Sequence, residues 1–161
     1  MERHIDKSVI DEAKNLMNLK EEVFLPYQAG LAQSLMYFYI SNRLVNDAEK
    51  LTKRLEEIWK SLGNISWDKI AKQLNDKGIV EENKDRLKQE TEKLVSFTLA
   101  SYYHEVYDIE KEKKYIDAAY DAIIKKWGGE EEIKKNPLDS AYFLALLIRD
   151  TLNAVLGKDL R

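Results

Sequence analysis

Apolar residues recur every three to four positions along most of the chain, which is the spacing of one face of an α-helix. The densest such segment is 25–43, LPYQAGLAQSLMYFYISNR, in which Leu31, Leu35 and Phe38 are flanked by further apolar side chains. Pro26 suits the first turn of a helix, where its missing N–H would have no partner anyway. A helix that is apolar over so much of its circumference needs cover on several sides. We therefore predict that it lies at the centre of the protein.

Gly30 lies inside this predicted central helix. A glycine in a helix interior costs about 1 kcal/mol relative to alanine. We expect the missing side chain to allow a neighbouring helix to approach closely.

The same periodicity, together with helix-ending residues, predicts further helices at 6–18, 46–62, 67–77, 81–108 (one helix or two), 110–127 and 137–156. Asn46 and Ser66 are predicted N-caps, and Gly63 a predicted C-cap. The short loop between the second and third helices predicts a hairpin. The pattern therefore indicates an all-α fold, a single domain over 1–161 built as a compact bundle of about six to eight helices.

Composition narrows the class of protein. Of 161 residues, 44% are hydrophobic and 34% are charged, as in ordinary globular proteins, and the 6 glycines and 2 prolines leave long runs for helices. No cysteine is present, which excludes disulfides and favours the reducing cytoplasm. We expect neither a signal peptide nor a membrane contact, because the first residues are polar and no apolar run approaches the ~20 residues of a span.

Catalytic and metal-binding patterns are sparse. His104 and Asp108 are four residues apart on one predicted helix face, but a metal site needs more ligands, so we interpret them as a surface pair. The paired carboxylates lie in charged stretches that predict exposure rather than the burial a general acid or base needs; they are Glu21-Glu22, Glu56-Glu57, Glu81-Glu82 and Glu130-Glu131-Glu132. We predict no catalytic residue, no metal site, no cofactor and no enzymatic activity.

Basic residues give the candidate binding surface. Lys50, Lys53 and Arg54 are spaced to project together from the third helix, and Arg43 ends the helix before it. Such a cluster suits sequence-independent contacts with RNA phosphates. The alternative is a solvated face on which neighbouring glutamates form salt bridges with these cations; those glutamates are Glu49, Glu56 and Glu57. The net charge of −3 disfavours a generally basic nucleic-acid binder and leaves room for a local patch.

Tyrosines crowd more than one face of the predicted helix at 81–108. Exposed tyrosines can stack on nucleic-acid bases, but at helical spacing they more often lie at the edge of a core or in an interface. We expect some of Tyr102, Tyr103 and Tyr107 to form a subunit interface.

Residues 30–37, GLAQSLMY, which follow Leu25-Pro26, resemble the G-L-x-Q-[S/T]-L-x-[F/Y] signature of the small all-helical subunit of the Cmr complex, the type III-B CRISPR RNA-guided effector. Residues 140–147, SAYFLALL, are more weakly similar to the Leu-rich helix with which members of that family often end. The Trp and the basic residues that usually accompany that helix are absent here. Nothing in 64–110 resembles the family.

This resemblance implies a small, non-catalytic structural subunit that packs against other effector subunits and lines the groove for guide and target RNA. RNA cleavage in that family belongs to other subunits. Arg43, Lys50, Lys53 and Arg54 are RNA-contact candidates from charge spacing alone, and self-association is also left open. Two alternatives remain: the small subunit of another CRISPR effector (type I-A Cascade or Csm), and a stand-alone helical adaptor that binds only protein.

Overall fold

Helices account for the regular structure in a computed structural model of the chain, which describes residues 7–76 and 84–135. Within these ranges the all-α prediction is confirmed. The helices are α1 (Lys7–Leu16), α2 (Leu25–Ser41), α3 (Val45–Ser61), α4 (Trp67–Asp76), α5 (Lys84–Glu105), α6 (Ile109–Trp127) and the single turn α7 (Glu130–Ile133). Short 3-10 turns, Glu22–Phe24 and Leu62–Asn64, precede α2 and follow α3. The predicted helix at 137–156, with its weak family resemblance, lies outside the described residues.

Among the helices that the structure describes, α5 is the most enclosed, and it packs against α2, α3, α4 and α6. Its buried residues point in most directions around the helix axis; they are Leu87, Thr91, Lys93, Val95, Ser96, Thr98, Leu99, Ala100 and Tyr103. By contrast, the buried residues of α2 follow one face, and Tyr37 on that helix is 77% exposed. The predicted cover on several sides is therefore present in part, since α2 packs against α1, α3 and α5. The central position that was predicted for 25–43 belongs instead to α5.

Hydroxyl side chains allow α5 to be buried although its sequence is polar. Thr91 Oγ1 donates to the carbonyl of Leu87 at 2.8 Å, and Thr98 Oγ1 to the carbonyl of Leu94 at 2.7 Å. Ser96 makes the same contact four residues back along the helix. Because each hydroxyl is satisfied within its own helix, it needs no water and no partner on a neighbouring helix.

Gly30 does not serve a close approach between helices. A Cβ built on this residue meets no described atom within 4 Å beyond its own helix backbone.

Replacing Gly30 with alanine is expected to raise the free energy of unfolding by about 1 kcal/mol, because glycine costs helix stability and no clash offsets the gain. Urea unfolding measures the change. Gly128→Ala is the matched control and should destabilise, because Gly128 has φ +78°; a destabilised Gly30→Ala variant would contradict the expectation.

Two predicted caps of α3 were wrong. The helix begins at Val45 with Leu44 at the N-cap position, because the tight turn that ends α2 already aligns Leu44 with the start of the next helix. Asn46 is therefore inside the first turn. At the other end α3 tightens into the 3-10 turn that contains Gly63, which lacks the positive φ of a glycine cap. Ser66 is confirmed as the cap of α4, since its Oγ accepts from the N–H of Lys69.

Candidate functional site

A cleft of about 240 Å³ lies where α1, α2 and α3 meet. It brings Lys50 and Arg54 together, as the sequence predicted, and adds Lys14 from α1. Its lining consists of Lys14, Met17, Asn18, Leu35, Tyr39, Asp47, Lys50, Leu51 and Arg54. Lys53 and Arg43 are not part of this lining, so the structure does not gather the four predicted cations at one place.

Arg54 uses its guanidinium to hold the end of α1. Its Nε donates to the carbonyl of Met17 at 2.9 Å, and Nη2 donates to the carbonyl of Leu19 at 3.1 Å. Nη1 lies 3.4 Å from a carboxylate oxygen of Glu57, and the side chain is only 16% exposed. Arg54 therefore contributes positive charge to the wall of the cleft, while its donors are occupied by protein.

Gln28 supports the same turn from α2 and was missed by sequence reasoning. The residue is fully buried, and its Nε2 donates to the carbonyls of Leu16 and Leu19, both at 2.9 Å. The carbonyls at the end of a helix lack partners within the helix, so Gln28 and Arg54 together complete α1. The sequence feature that could have identified Gln28 is its position as a single amide on the otherwise apolar face of α2.

The lysines in and beside the cleft differ in how they are paired. Lys14 Nζ lies 3.2 Å from Asp47, and Lys53 Nζ lies 3.6 Å from Glu49. Lys50 is exposed and forms no ion pair with any residue in the described part of the chain. The predicted alternative of a salt-bridged face therefore describes Lys53 and Arg54, whereas Lys50 remains available to an anion.

A second groove, of about 380 Å³, lies at the end of the bundle where the α2–α3 turn meets the end of α5. Its lining consists of Tyr39, Ile40, Arg43, Leu44, Val45, Ala48, Tyr102, Glu105 and Val106. Arg43 thus lines this groove and not the cleft between α1, α2 and α3. We call this surface the end groove.

The two turns beside the end groove have the same backbone geometry. Arg43 after α2 has φ +56°, and Tyr107 after α5 has φ +61°, although neither is glycine. The residue after each turn donates its N–H back to the helix, from Leu44 to Tyr39 at 2.8 Å and from Asp108 to Tyr103 at 3.0 Å. This is the Schellman arrangement that ends many helices. Side chains other than glycine are strained in it, so both turns are held by their surroundings.

A third groove, of about 610 Å³, runs between α2 and α5. Four residues of segment 30–37, which carries the family resemblance, line this groove; they are Gln33, Ser34, Met36 and Tyr37. The helix α5 contributes Phe97 and Ser101, among others. The segment that carries the resemblance therefore presents part of its surface outward while its apolar residues Leu35 and Met36 are buried.

The tyrosines of α5 divide between core and surface. Tyr103 is buried and stacks on Tyr115, with ring centroids 5.8 Å apart, and its hydroxyl donates to Glu56. Burial and the adjacent Glu56 carboxylate raise the pKa of Tyr103 well above its usual range. Tyr103 therefore belongs to the core, which leaves Tyr102 and Tyr107 as candidates for the predicted interface. Glu56 is not the simply exposed carboxylate that the sequence predicted. Tyr107, which follows the end of α5, is 65% exposed, so it offers the most accessible ring of the three tyrosines.

His104 and Asp108 act separately. His104 Nδ1 lies 2.8 Å from Oε2 of Glu112, a carboxylate that is fully buried. Asp108 instead caps α6 by accepting from the N–H of Lys111. The predicted surface pair was therefore wrong, because the turn after α5 carries Asp108 to the start of the next helix. Sequence reasoning also missed the burial of Glu112.

Among residues 7–76 and 84–135 no cluster of three or more His, Asp or Glu side chains is arranged to hold a metal ion. No helix in those ranges has the length and apolar character needed to cross a membrane. The chain matches no protein-family model, no curated protein and no solved structure.

Proposed function

We propose that the protein is a non-catalytic helical subunit of a cytoplasmic, Cmr-type CRISPR RNA-guided effector complex, and that it contacts guide or target RNA through phosphates. The observation that carries the RNA contact is Lys50, an exposed ammonium without an ion-pair partner in the described structure, at a cleft shared with Lys14 and Arg54. The resemblance of residues 30–37 to the small-subunit signature supports the assignment to such a complex.

The cleft suits phosphate for electrostatic reasons. Lys50 supplies a positive charge that has no ion-pair partner among residues 7–76 and 84–135. The guanidinium of Arg54, whose hydrogen bonds go to protein carbonyls, adds a fixed charge beside it. A lysine contacts phosphate as a point charge without reading the base. Because the whole chain carries a net charge of −3, binding by the isolated protein should be weak and should need the other subunits to hold RNA in place.

Charge reversal at the cleft tests the RNA contact. We expect Lys50→Glu to weaken the affinity of the protein for single-stranded RNA about tenfold. The slope of the logarithm of the binding constant against the logarithm of the salt concentration should also decrease, by roughly the amount that one phosphate contact contributes. Fluorescence polarisation over a series of salt concentrations measures both, with the chain alone and with effector subunits added. Lys60→Glu is the control, because Lys60 is an exposed lysine of the same helix that does not line the cleft. If the Lys50 and Lys60 variants bind RNA with equal affinity, the cleft is not the RNA contact.

A second candidate function is that of an adaptor that binds only protein. The exposed apolar residues around the end groove favour it, among them Val45, which is 62% exposed. Absence of RNA binding at low salt, both for the chain alone and with effector subunits present, would decide for the adaptor.

A further inference from the structure

Three apolar side chains that line the end groove are exposed. Val45, Val106 and Leu44 are 62%, 44% and 37% exposed, respectively, and all three line the groove. Tyr107 follows Val106 in the chain and is also exposed. Contiguous apolar surface of this kind marks a place where another protein surface binds.

Two opposite charges flank this apolar strip. Arg43 lines the groove from the α2–α3 turn, and Glu105 lines it from the last turn of α5. Neither side chain forms an ion pair or a side-chain hydrogen bond within the described part of the chain. The lining therefore carries one positive and one negative charge that no described residue pairs, and these two charges cancel.

We propose that the end groove is the surface through which two copies of this chain associate about a twofold axis. In such an interface the same patch meets itself, so a contact between residues i and j occurs twice. Arg43 of one copy would face Glu105 of the other, and the reverse pair would form on the opposite side of the axis. Between these pairs the apolar strips of the two copies cover one another.

Charge complementarity favours a second copy over an unrelated partner. A patch with one charge of each sign complements its own image after a twofold rotation, whereas a partner of one predominant sign would repel one of the two residues. The turns are also preformed, since each is closed by a backbone hydrogen bond from the residue after Arg43 or Tyr107. Less ordering is then needed on association. This inference is independent of the RNA contact at Lys50.

Sedimentation velocity of the full chain, from about 1 µM to about 1 mM, tests the association directly. We expect a concentration-dependent dimer that Arg43→Glu and Glu105→Arg each weaken at least about tenfold. An equimolar mixture of these two variants should regain the dimer, because opposite charges then meet at both pairs. The double variant R43E/E105R should regain it for the same reason.

Two further variants keep the result interpretable. Val45→Asp places a charge in the apolar strip and should abolish the dimer, whereas Lys125→Glu, at an exposed residue of α6 that lies outside the groove, should leave it intact. Urea unfolding confirms that each variant is folded. A monomer at every concentration would overturn the proposal, as would a dimer that withstands all three groove variants. Single variants that weaken the dimer without recovery on mixing would also overturn the twofold arrangement.

Discussion

Replacing Arg54 with alanine is expected to lower the free energy of unfolding by about 3 kcal/mol. Hydrogen bonds from a charged donor each contribute about 1.5–3 kcal/mol, and their loss leaves the acceptor carbonyls without a partner. The acceptors are the carbonyls of Met17 and Leu19 at the end of α1. The stem of the side chain also packs in the wall of the cleft. Urea unfolding followed by circular dichroism measures the loss.

Lys53→Ala is the matched control for this experiment. Lys53 precedes Arg54 on the same helix, but it is 73% exposed, and its ion-pair partner in the described part of the chain is Glu49. Exposed pairs of this kind contribute about 0.3–0.5 kcal/mol, so the control should unfold almost like the wild type. Arg54→Lys should recover little of the loss, because one ammonium cannot reproduce a planar fork that reaches two carbonyls. Equal stabilities of the two alanine variants would show that Arg54 does not hold α1.

Helix positions could be predicted from the sequence because apolar spacing records which face of each helix is buried. The spacing in 46–62 located α3, and the breakers Gly128 and Gly129 located the end of α6. The spacing also located α5 within 81–108, but it did not indicate how enclosed this helix is, because Thr91, Ser96 and Thr98 are buried without contributing to an apolar stripe. Burial of these residues depends on hydroxyl bonds within the helix, which a hydrophobic pattern does not register.

The candidate sites were harder to predict because they combine residues that are distant in the chain. Charge spacing identified Lys50 and Arg54 correctly as neighbours, but it could not show that Arg54 reaches back to Leu19. The end groove contains both Val45 and Val106, which become neighbours only when α2 and α5 pack together. The sequence shows these residues only as separate apolar positions and does not indicate that they are close in the fold.

Stability is expected to fall steeply as the pH rises from 10 to 12, because buried tyrosines oppose ionisation in the folded state. Burial, with Asp47 and Asp11 nearby, raises the pKa of Tyr39 from 10.0 to about 12. Burial also raises the pKa values of Tyr102, Tyr103 and Tyr115, and carboxylates on α3 add to the effect. Below pH 10 both the folded and the unfolded chain keep these phenols neutral, so they contribute no pH dependence there.

Above pH 10 the unfolded chain loses its phenol protons first, which lowers its free energy relative to the folded state. For Tyr39, whose pKa rises from 10.0 to about 12, the resulting loss by pH 12 is roughly 2 to 3 kcal/mol. Urea unfolding at successive pH values, with tyrosinate absorbance recorded in parallel, measures it. Tyr39→Phe should flatten the decline by about this amount. Tyr37→Phe, at a ring that is 77% exposed, is the control for losing a tyrosine as such. If both phenylalanine variants decline as steeply as the wild type, the ionisation of Tyr39 does not limit stability, and the loss comes from other groups such as Tyr102, Tyr103 and Tyr115.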